Sequence, residues 1–443
     1  MNNFLNSSFR VSLIRNSSIQ FIWWVVFFPG FFSGDSFAAV QMAKSGELGN
    51  SFTASWALYV RIFSFHGNAI ALLTLINGLV LVYSVTRLGY AIFSAKTAAI
   101  STFLLTLTPV VSGMGITLWH DILMSAGMLL FASFFINLHK SKELTYKLIS
   151  LQLLPGSLLI AFRPNGLPTI TLFLILYCLY LFMRRKEYLF LTIKFGLLSI
   201  FLSAFASILT SNIILGTNSI NGYFAQDWMR SDISCFASTP LGNGFVEEEM
   251  PGVGSTLTWS STEACTFLSK AKVSQEQKVA SQKYVPRAWL KILESDPGFL
   301  LKLHLNRNAY LVPFPINGIP VPPFLHSNIE FEGQGIQWAF PSVAENARSL
   351  MRAWNAARGI TAWAGFWVLV LLAVAIMRKS ESLFFLVSLS VALMSIIFVT
   401  ASIPDGRYVL FVLISGQLCF LGILTESICL HKQRRVTSKL ENL

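Results

Sequence analysis

Residues 382–402 read SLFFLVSLSVALMSIIFVTAS, an uncharged apolar run flanked by Arg378-Lys379 on one side and Asp405-Gly406-Arg407 on the other. At about 1.5 Å of rise per residue, such a run covers the roughly 30 Å of bilayer hydrocarbon as an α-helix. Its apolar character is continuous, without the alternation of a barrel strand, so a helix is the expected form.

Working outward, comparable runs recur at 16–33, 68–86, 97–118, 122–138, 148–162, 167–183, 189–215, 359–377 and 408–429. The expected fold class is therefore an all-α polytopic membrane protein of about ten transmembrane helices. Three regions follow: an N-terminal membrane module over 1–215, an extracytoplasmic α-rich domain over 216–358, and a C-terminal membrane module with a cytoplasmic tail over 359–443. The fourth to sixth runs are short, which leaves room for tilted or re-entrant pairs. The first run could be a signal peptide, with Arg10 and Arg15 ahead of it and Ser36-Phe37-Ala38 near a cleavage point. Bulky residues up to Phe31 and Phe32 favour an uncleaved anchor.

Composition agrees. Of 443 residues, 12% are charged and 54% hydrophobic, and mean hydropathy is +0.60. This excludes a disordered chain, a disulfide scaffold and a conventional soluble enzyme. The net charge of +12 would raise the question of nucleic acid in a soluble protein. Here it is a topology signal: with both termini inside, the inner segments hold seventeen Lys and Arg against five Glu, while the outer segments are balanced. The expected location is the inner, or plasma, membrane, with domain 216–358 outside and no nucleic-acid partner.

The first outer segment, 34–67, reads as one or two interfacial amphipathic helices, and the second holds a helical stretch over 274–305. Cys235 and Cys265 are the only cysteines of the large outer segment. In an oxidising exterior they could bridge, worth about 3 kcal/mol in the chain-entropy model, or remain two buried thiols. No CxxC spacing points to zinc. Glu247, Glu248 and Glu249 read as a solvated run, and His304 and His326 lack ligand spacing.

Four polar clusters fall at span ends on the outer side: Asp35, His120-Asp121, Arg163 with Asn165, and Asp405 with Arg407. Each alone could be an interfacial cap; four at one depth point to a site. A carboxylate there can act as general base on a hydroxyl, and guanidinium groups can hold a phosphate and stabilise it as a leaving group. A divalent cation, Mg or Mn, shared by Asp35 and Asp121 is compatible with the pattern but not required by it. Trp56 and Trp228 are minor candidates for carbohydrate stacking.

The order of these features resembles the GT-C superfamily of integral membrane glycosyltransferases, in a poorly characterised bacterial multi-span branch. The matching pieces are Pro29-Gly30 through Gly34-Asp35-Ser36 with Gln41 beyond it, Trp119-His120-Asp121, and Phe162-Arg163-Pro164-Asn165-Gly166. Asp296-Pro297-Gly298-Phe299-Leu300, Leu305-Asn306-Arg307 and Pro404 to Tyr408 continue it. The chain departs from the pattern at Ser55-Trp56-Ala57, where a His-Pro pair is common, and at His120, where a lysine is common. The resemblance implies Asp35 as catalytic base, Asp121 as a second acidic site, and Arg163 and Arg407 at the phosphate. His120, Asn165, Trp56 and Gln41 would complete a substrate-binding set. It also implies a polyprenyl-phosphate sugar as donor and an envelope glycan, lipid or protein as acceptor. Two other classes stay open: a transporter or lipid flippase, and a catalytically silent assembly partner.

Overall fold

The computed structural model describes residues 7–46, 53–141, 144–214, 226–242, 244–251, 275–312, 336–401 and 405–441. Among these the chain is helical, without a β-strand. The N-terminal part runs through α1 (Ser7–Val26), α2 (Gly34–Ser45), α3 (Ala54–Phe63), α4 (Ile70–Ile92), α5 (Ala95–Leu107), α6 (Ser112–Gly115) and α7 (His120–Ser141). Next come α8 (Tyr146–Leu148), a π-helical turn at Ile149–Leu153, α9 (Leu154–Ile160), α10 (Gly166–Arg184) and α11 (Lys186–Ile214). The stretch between α11 and α18 supplies α12 (Asp227–Ala237), α13 (Phe245–Glu249), α14 (Gln275–Ser295), α15 (Pro297–Arg307), α16 (Pro341–Ala356) and α17 (Arg358–Thr361). The C-terminal part holds α18 (Ala364–Arg378), α19 (Glu381–Thr400) and α20 (Leu410–Glu441).

Among the described residues six helices are long and apolar enough to cross a membrane: α4, α7, α10, α11, α19 and the helix through α20. The chain is thus a multi-pass membrane protein. Three further apolar helices, α5, the α8–α9 stretch and α18, are shorter. The apolar run over 97–118 does not form one helix. Pro109 disfavours helical geometry at Thr108, so α5 stops at Leu107 and the chain turns through α6.

The first helix is inverted relative to a soluble one. Ser12, Asn16 and Gln20 face inward, whereas Val11, Ile14, Phe21 and Ile22 are exposed. Asn16 donates to the Thr86 hydroxyl at 3.2 Å and to that of Thr102 at 3.1 Å, tying α1 to α4 and α5. Such interhelical hydrogen bonds satisfy the polar side chains that α1 turns inward.

Helix α7 is the central strut, uncharged between Asp121 and His139 and buried along nearly its whole length. It packs on α4 and α9. Against α9 the contact is backbone on backbone: a Cβ on Gly127 would lie 2.8 Å from the Gly156 carbonyl oxygen, so only glycine allows the approach. Charges at the far end of the bundle pair among themselves, Arg185 with Glu381 and Arg378 with Glu426 at 2.6 Å.

The helical stretch expected over 274–305 is two helices. Asp296 accepts from the Phe299 N–H at 2.9 Å and caps α15, with Pro297 in its first turn. Ile233, Phe236, Met250, Val285, Ala288, Ile292 and Leu300 form a separate small core from α12 to α15. Glu249 is not part of a solvated run: it is buried and paired with Lys291. Cys235 is buried in α12, while Cys265 lies outside the described residues.

Candidate functional site

The four polar clusters meet at one end of the bundle. The chain leaving α1 runs beside the segment ahead of α7. There the Phe31 N–H donates to the Ile116 carbonyl at 3.0 Å, and the Leu118 N–H donates to the Phe31 carbonyl at 3.2 Å. Side chains lock the register: the Ser36 hydroxyl donates to the Leu118 carbonyl at 2.9 Å and the Trp119 indole N–H to the Ser33 hydroxyl at 2.7 Å. The Ser33 N–H also donates to the Ser36 hydroxyl at 3.0 Å, closing the first turn of α2. This seam places Asp35, in the first turn of α2, and Asp121, in the first turn of α7, within reach of one guanidinium.

That guanidinium is Arg407. Its Nη2 lies 2.9 Å from Asp35 Oδ2, its Nε 2.9 Å from Asp405 Oδ2 and 3.7 Å from Asp121 Oδ2. Asp405 earns its place locally, since its other oxygen accepts the Arg407 backbone N–H at 3.0 Å and shapes the turn into α20. Arg163, from the turn between α9 and α10, pairs with Asp121 Oδ1. Gly166 makes that turn: its N–H donates to the Arg163 carbonyl at 3.0 Å, and a side chain there would collide with the Ile160 carbonyl. The Tyr408 ring serves both arginines, with Arg163 Cζ 4.0 Å and Arg407 Cζ 5.3 Å from its centroid; Trp119 lies 4.6 Å from Arg407. Burial lowers the Arg163 pKa from its ordinary value, and Tyr408 and Asp405 oppose that; the guanidinium stays a cation.

The acids are unequal. The Asp35 side chain is 44% exposed, whereas Asp121 is fully enclosed. Asp35 can therefore meet a solvent-borne hydroxyl, and Asp121 serves as the buried counter-ion that holds Arg163. Arg407 lies between the two carboxylates where a shared divalent ion would sit. In this arrangement the pair does not fit a bridging Mg or Mn.

His120 Nε2 is 4.0 Å from Asp121 Oδ2, at the edge of the cluster. Behind it Trp56 is buried, with ring centroids 6.0 Å from His120, 5.5 Å from Tyr59 and 6.0 Å from Phe162. The Trp56 ring, expected as a carbohydrate-stacking surface, is buried, with Tyr59 stacked on it and Phe162 against it edge-on. Trp228 likewise packs edge-on against Trp289 at 5.1 Å. Asn165 shapes the Arg163 turn through its carbonyl, which accepts the Thr169 hydroxyl at 2.7 Å. Gln41 is exposed on α2. Six residues beyond Asp35, about one and two-thirds turns, it sits on another face and takes no part in these contacts.

Asp405 and Tyr408 complete the site although attention in the sequence falls on Arg407. Their signal is local, an acid two residues before the arginine and an aromatic one after it.

No family model matches the chain, and no curated protein matches it in sequence. Among solved structures it is similar to the archaeal oligosaccharyltransferase AglB from Archaeoglobus fulgidus, in complex with an inhibitory peptide and a dolichol-phosphate. That match has a TM-score of 0.46 at 14% identity, over 97% of this chain and 52% of the other. It is also similar to ArnT from Cupriavidus metallidurans bound to undecaprenyl phosphate, with a TM-score of 0.38 at 13% identity, over 93% of this chain and 77% of the other. The chain thus spans about half the length of the first of these.

Proposed function

We propose that the protein is a glycosyltransferase. It moves a sugar from a polyprenyl-phosphate-linked donor to an envelope glycan, lipid or protein at the outer face of a plasma membrane. The observation that carries this reading is the half-exposed Asp35 sharing Arg407 with a buried Asp121–Arg163 pair at the end of a membrane bundle.

The acceptor hydroxyl attacks the anomeric carbon of the donor while Asp35 takes its proton. The bond from that carbon to the phosphate oxygen breaks, and the polyprenyl phosphate leaves with the electron pair. Arg407 and Arg163 face the added negative charge, which suits guanidinium groups held in a water-poor site. Three carboxylates outnumber the two arginines in the unliganded site, so an arriving phosphate competes with Asp35 for Arg407. Capture of Arg407 by the phosphate releases Asp35 for its work as base. Asp121 stays with Arg163 as its anchor.

The transporter reading expects ionisable groups at mid-depth. The Asn16, Thr86 and Thr102 set that ties α1 to α4 and α5 is built from neutral side chains, with Arg15 bonding Asn16 from the next position. Transfer from a panel of polyprenyl-phosphate sugars in membranes, comparing the protein with its Asp35→Asn variant, tests the reading. Equal rates in a folded variant would overturn the assignment of Asp35.

A further inference from the structure

A second charged network lies wholly inside the outer segment and touches the bundle. Asp232, on α12, is fully buried. Its Oδ2 accepts the Trp289 indole N–H at 2.9 Å and faces His304 Nε2 at 3.0 Å; its Oδ1 accepts Arg307 Nη1 at 2.8 Å. Arg307 Nη2 also reaches the Ser231 hydroxyl at 3.3 Å. His304 and Arg307 are one turn apart on α15, so they share a face.

That face turns to the last turn of α19, whose carbonyls have no partner within their own helix. Three of its groups reach those carbonyls. His304 Nδ1 lies 2.8 Å from the Phe398 oxygen, Asn308 Nδ2 donates to the same oxygen at 3.1 Å, and Arg307 Nη1 donates to Ala401 at 3.3 Å. The Arg307 cation at that helix C-terminus is favourable for the macrodipole, and here a different element supplies it. Three residues further along α15's trail, the Tyr310 hydroxyl donates to the Asp405 carbonyl at 3.2 Å. Burial, aided by Asp405, raises the Tyr310 pKa and keeps it an O–H donor. Residues 304–310 therefore grip the chain on both sides of 402–404, and the next residues are Asp405 and Arg407.

We propose that Asp232, His304, Arg307 and Tyr310 are positioning residues for Arg407. They clamp the end of α19 and the Asp405 carbonyl to the folded outer segment, and so set where the guanidinium stands between Asp35 and Asp121. The outer segment thereby controls the anion-binding capacity of the site without touching its ligand. The effect on lipid phosphate rests on the function proposed above; the effect on the backbone at 405–409 does not.

Amide hydrogen exchange of the full-length protein in detergent, read in peptides covering 405–409 and 122–138, separates the two. Arg307→Met is expected to speed exchange at 405–409 at least tenfold and leave α7 unchanged, with Arg307→Lys recovering at least half of that loss on a logarithmic scale. Tyr310→Phe, which removes one hydroxyl and leaves the ion cluster whole, is expected to speed it at least threefold and decides the matter if Arg307→Met does not fold. Undecaprenyl phosphate, used as the probe, should bind Tyr310→Phe at least threefold more weakly than wild type. Unchanged exchange at 405–409 in folded Tyr310→Phe would overturn the clamp. Faster exchange with undecaprenyl phosphate bound as tightly as by wild type would overturn its control of the site. Absence of binding to the wild type would overturn the lipid-phosphate reading while leaving the exchange result to judge the clamp.

Discussion

Arg407 Nη2 stands 2.9 Å from Asp35 Oδ2, and that pair is the exposed edge of an otherwise buried charge cluster. The same guanidinium reaches Asp405 at 2.9 Å, so it loses only part of its compensation when Asp35 leaves. Asp35→Asn should therefore separate chemistry from binding. Transfer is expected to fall by about 10²- to 10⁴-fold, the usual contribution of a positioned base. Affinity for undecaprenyl phosphate should stay equal or rise, because a competitor for Arg407 has been neutralised. Rates in membranes and lipid-phosphate binding by the purified variant check the two halves.

Asp121 and Arg163 form a buried pair, and single removals leave an uncompensated charge in the interior. Asp121→Asn and Arg163→Met are each expected to cost about 3–5 kcal/mol. The double variant should cost less than the sum by at least about 1 kcal/mol, as for residues in direct contact. Unfolding in graded denaturing detergent, run as a double-mutant cycle, measures the coupling.

Arg407 occupies the position between two acids that a shared ion would need, so transfer should be indifferent to divalent cations. Chelator and added Mg or Mn are expected to change the rate by less than twofold. Arg407→Gln should lower it by at least about 10²-fold, in line with loss of a charged stabiliser of the leaving group. A Mn titration followed by electron paramagnetic resonance gives a readout apart from activity: the wild type should bind no Mn at the cluster.

Trp56 packs His120 from behind, so it acts through stability. Trp56→Ala is expected to cost about 3–5 kcal/mol as a large buried ring is lost. Trp56→Phe should retain transfer within about fivefold, with KM for acceptor unchanged. A KM effect exceeding the kcat effect would place the ring against substrate instead.

The helices were legible because long apolar runs have few alternatives in a chain so poor in charge. Their edges were not, where a local breaker acted: Pro109 ended α5, and Asp296-Pro297 split the helical stretch over 274–305. The site was legible as four motifs at one depth, since span ends fix depth. Which acid pairs with which arginine was not, because Asp35 and Arg407 lie hundreds of residues apart: the Phe31–Thr117 seam sets Asp35 beside Asp121, and Arg407 reaches both from the turn ahead of α20. Trp56 shows the same limit: an aromatic on an amphipathic helix looks alike whether its face meets solvent or Phe162. The Asp232 network was invisible for a related reason. His304 and Arg307 share a helix face, but nothing local announces that their partners are an aspartate on α12 and the end of α19.

Helix α1 carries Ser12, Asn16 and Gln20 on one face, and the Asn16 amide N–H groups donate to Thr86 on α4 and Thr102 on α5. During synthesis α1 emerges long before either. Until they arrive its amides and Arg15 must remain at the translocation machinery or the lipid headgroups, because hydrocarbon offers them nothing to bond. Helix α1, made before α4 and α5, thus settles only once they are in place. Truncated chains that stop ahead of α4 should leave α1 extractable at alkaline pH, whereas chains that include α5 should hold it in the bilayer.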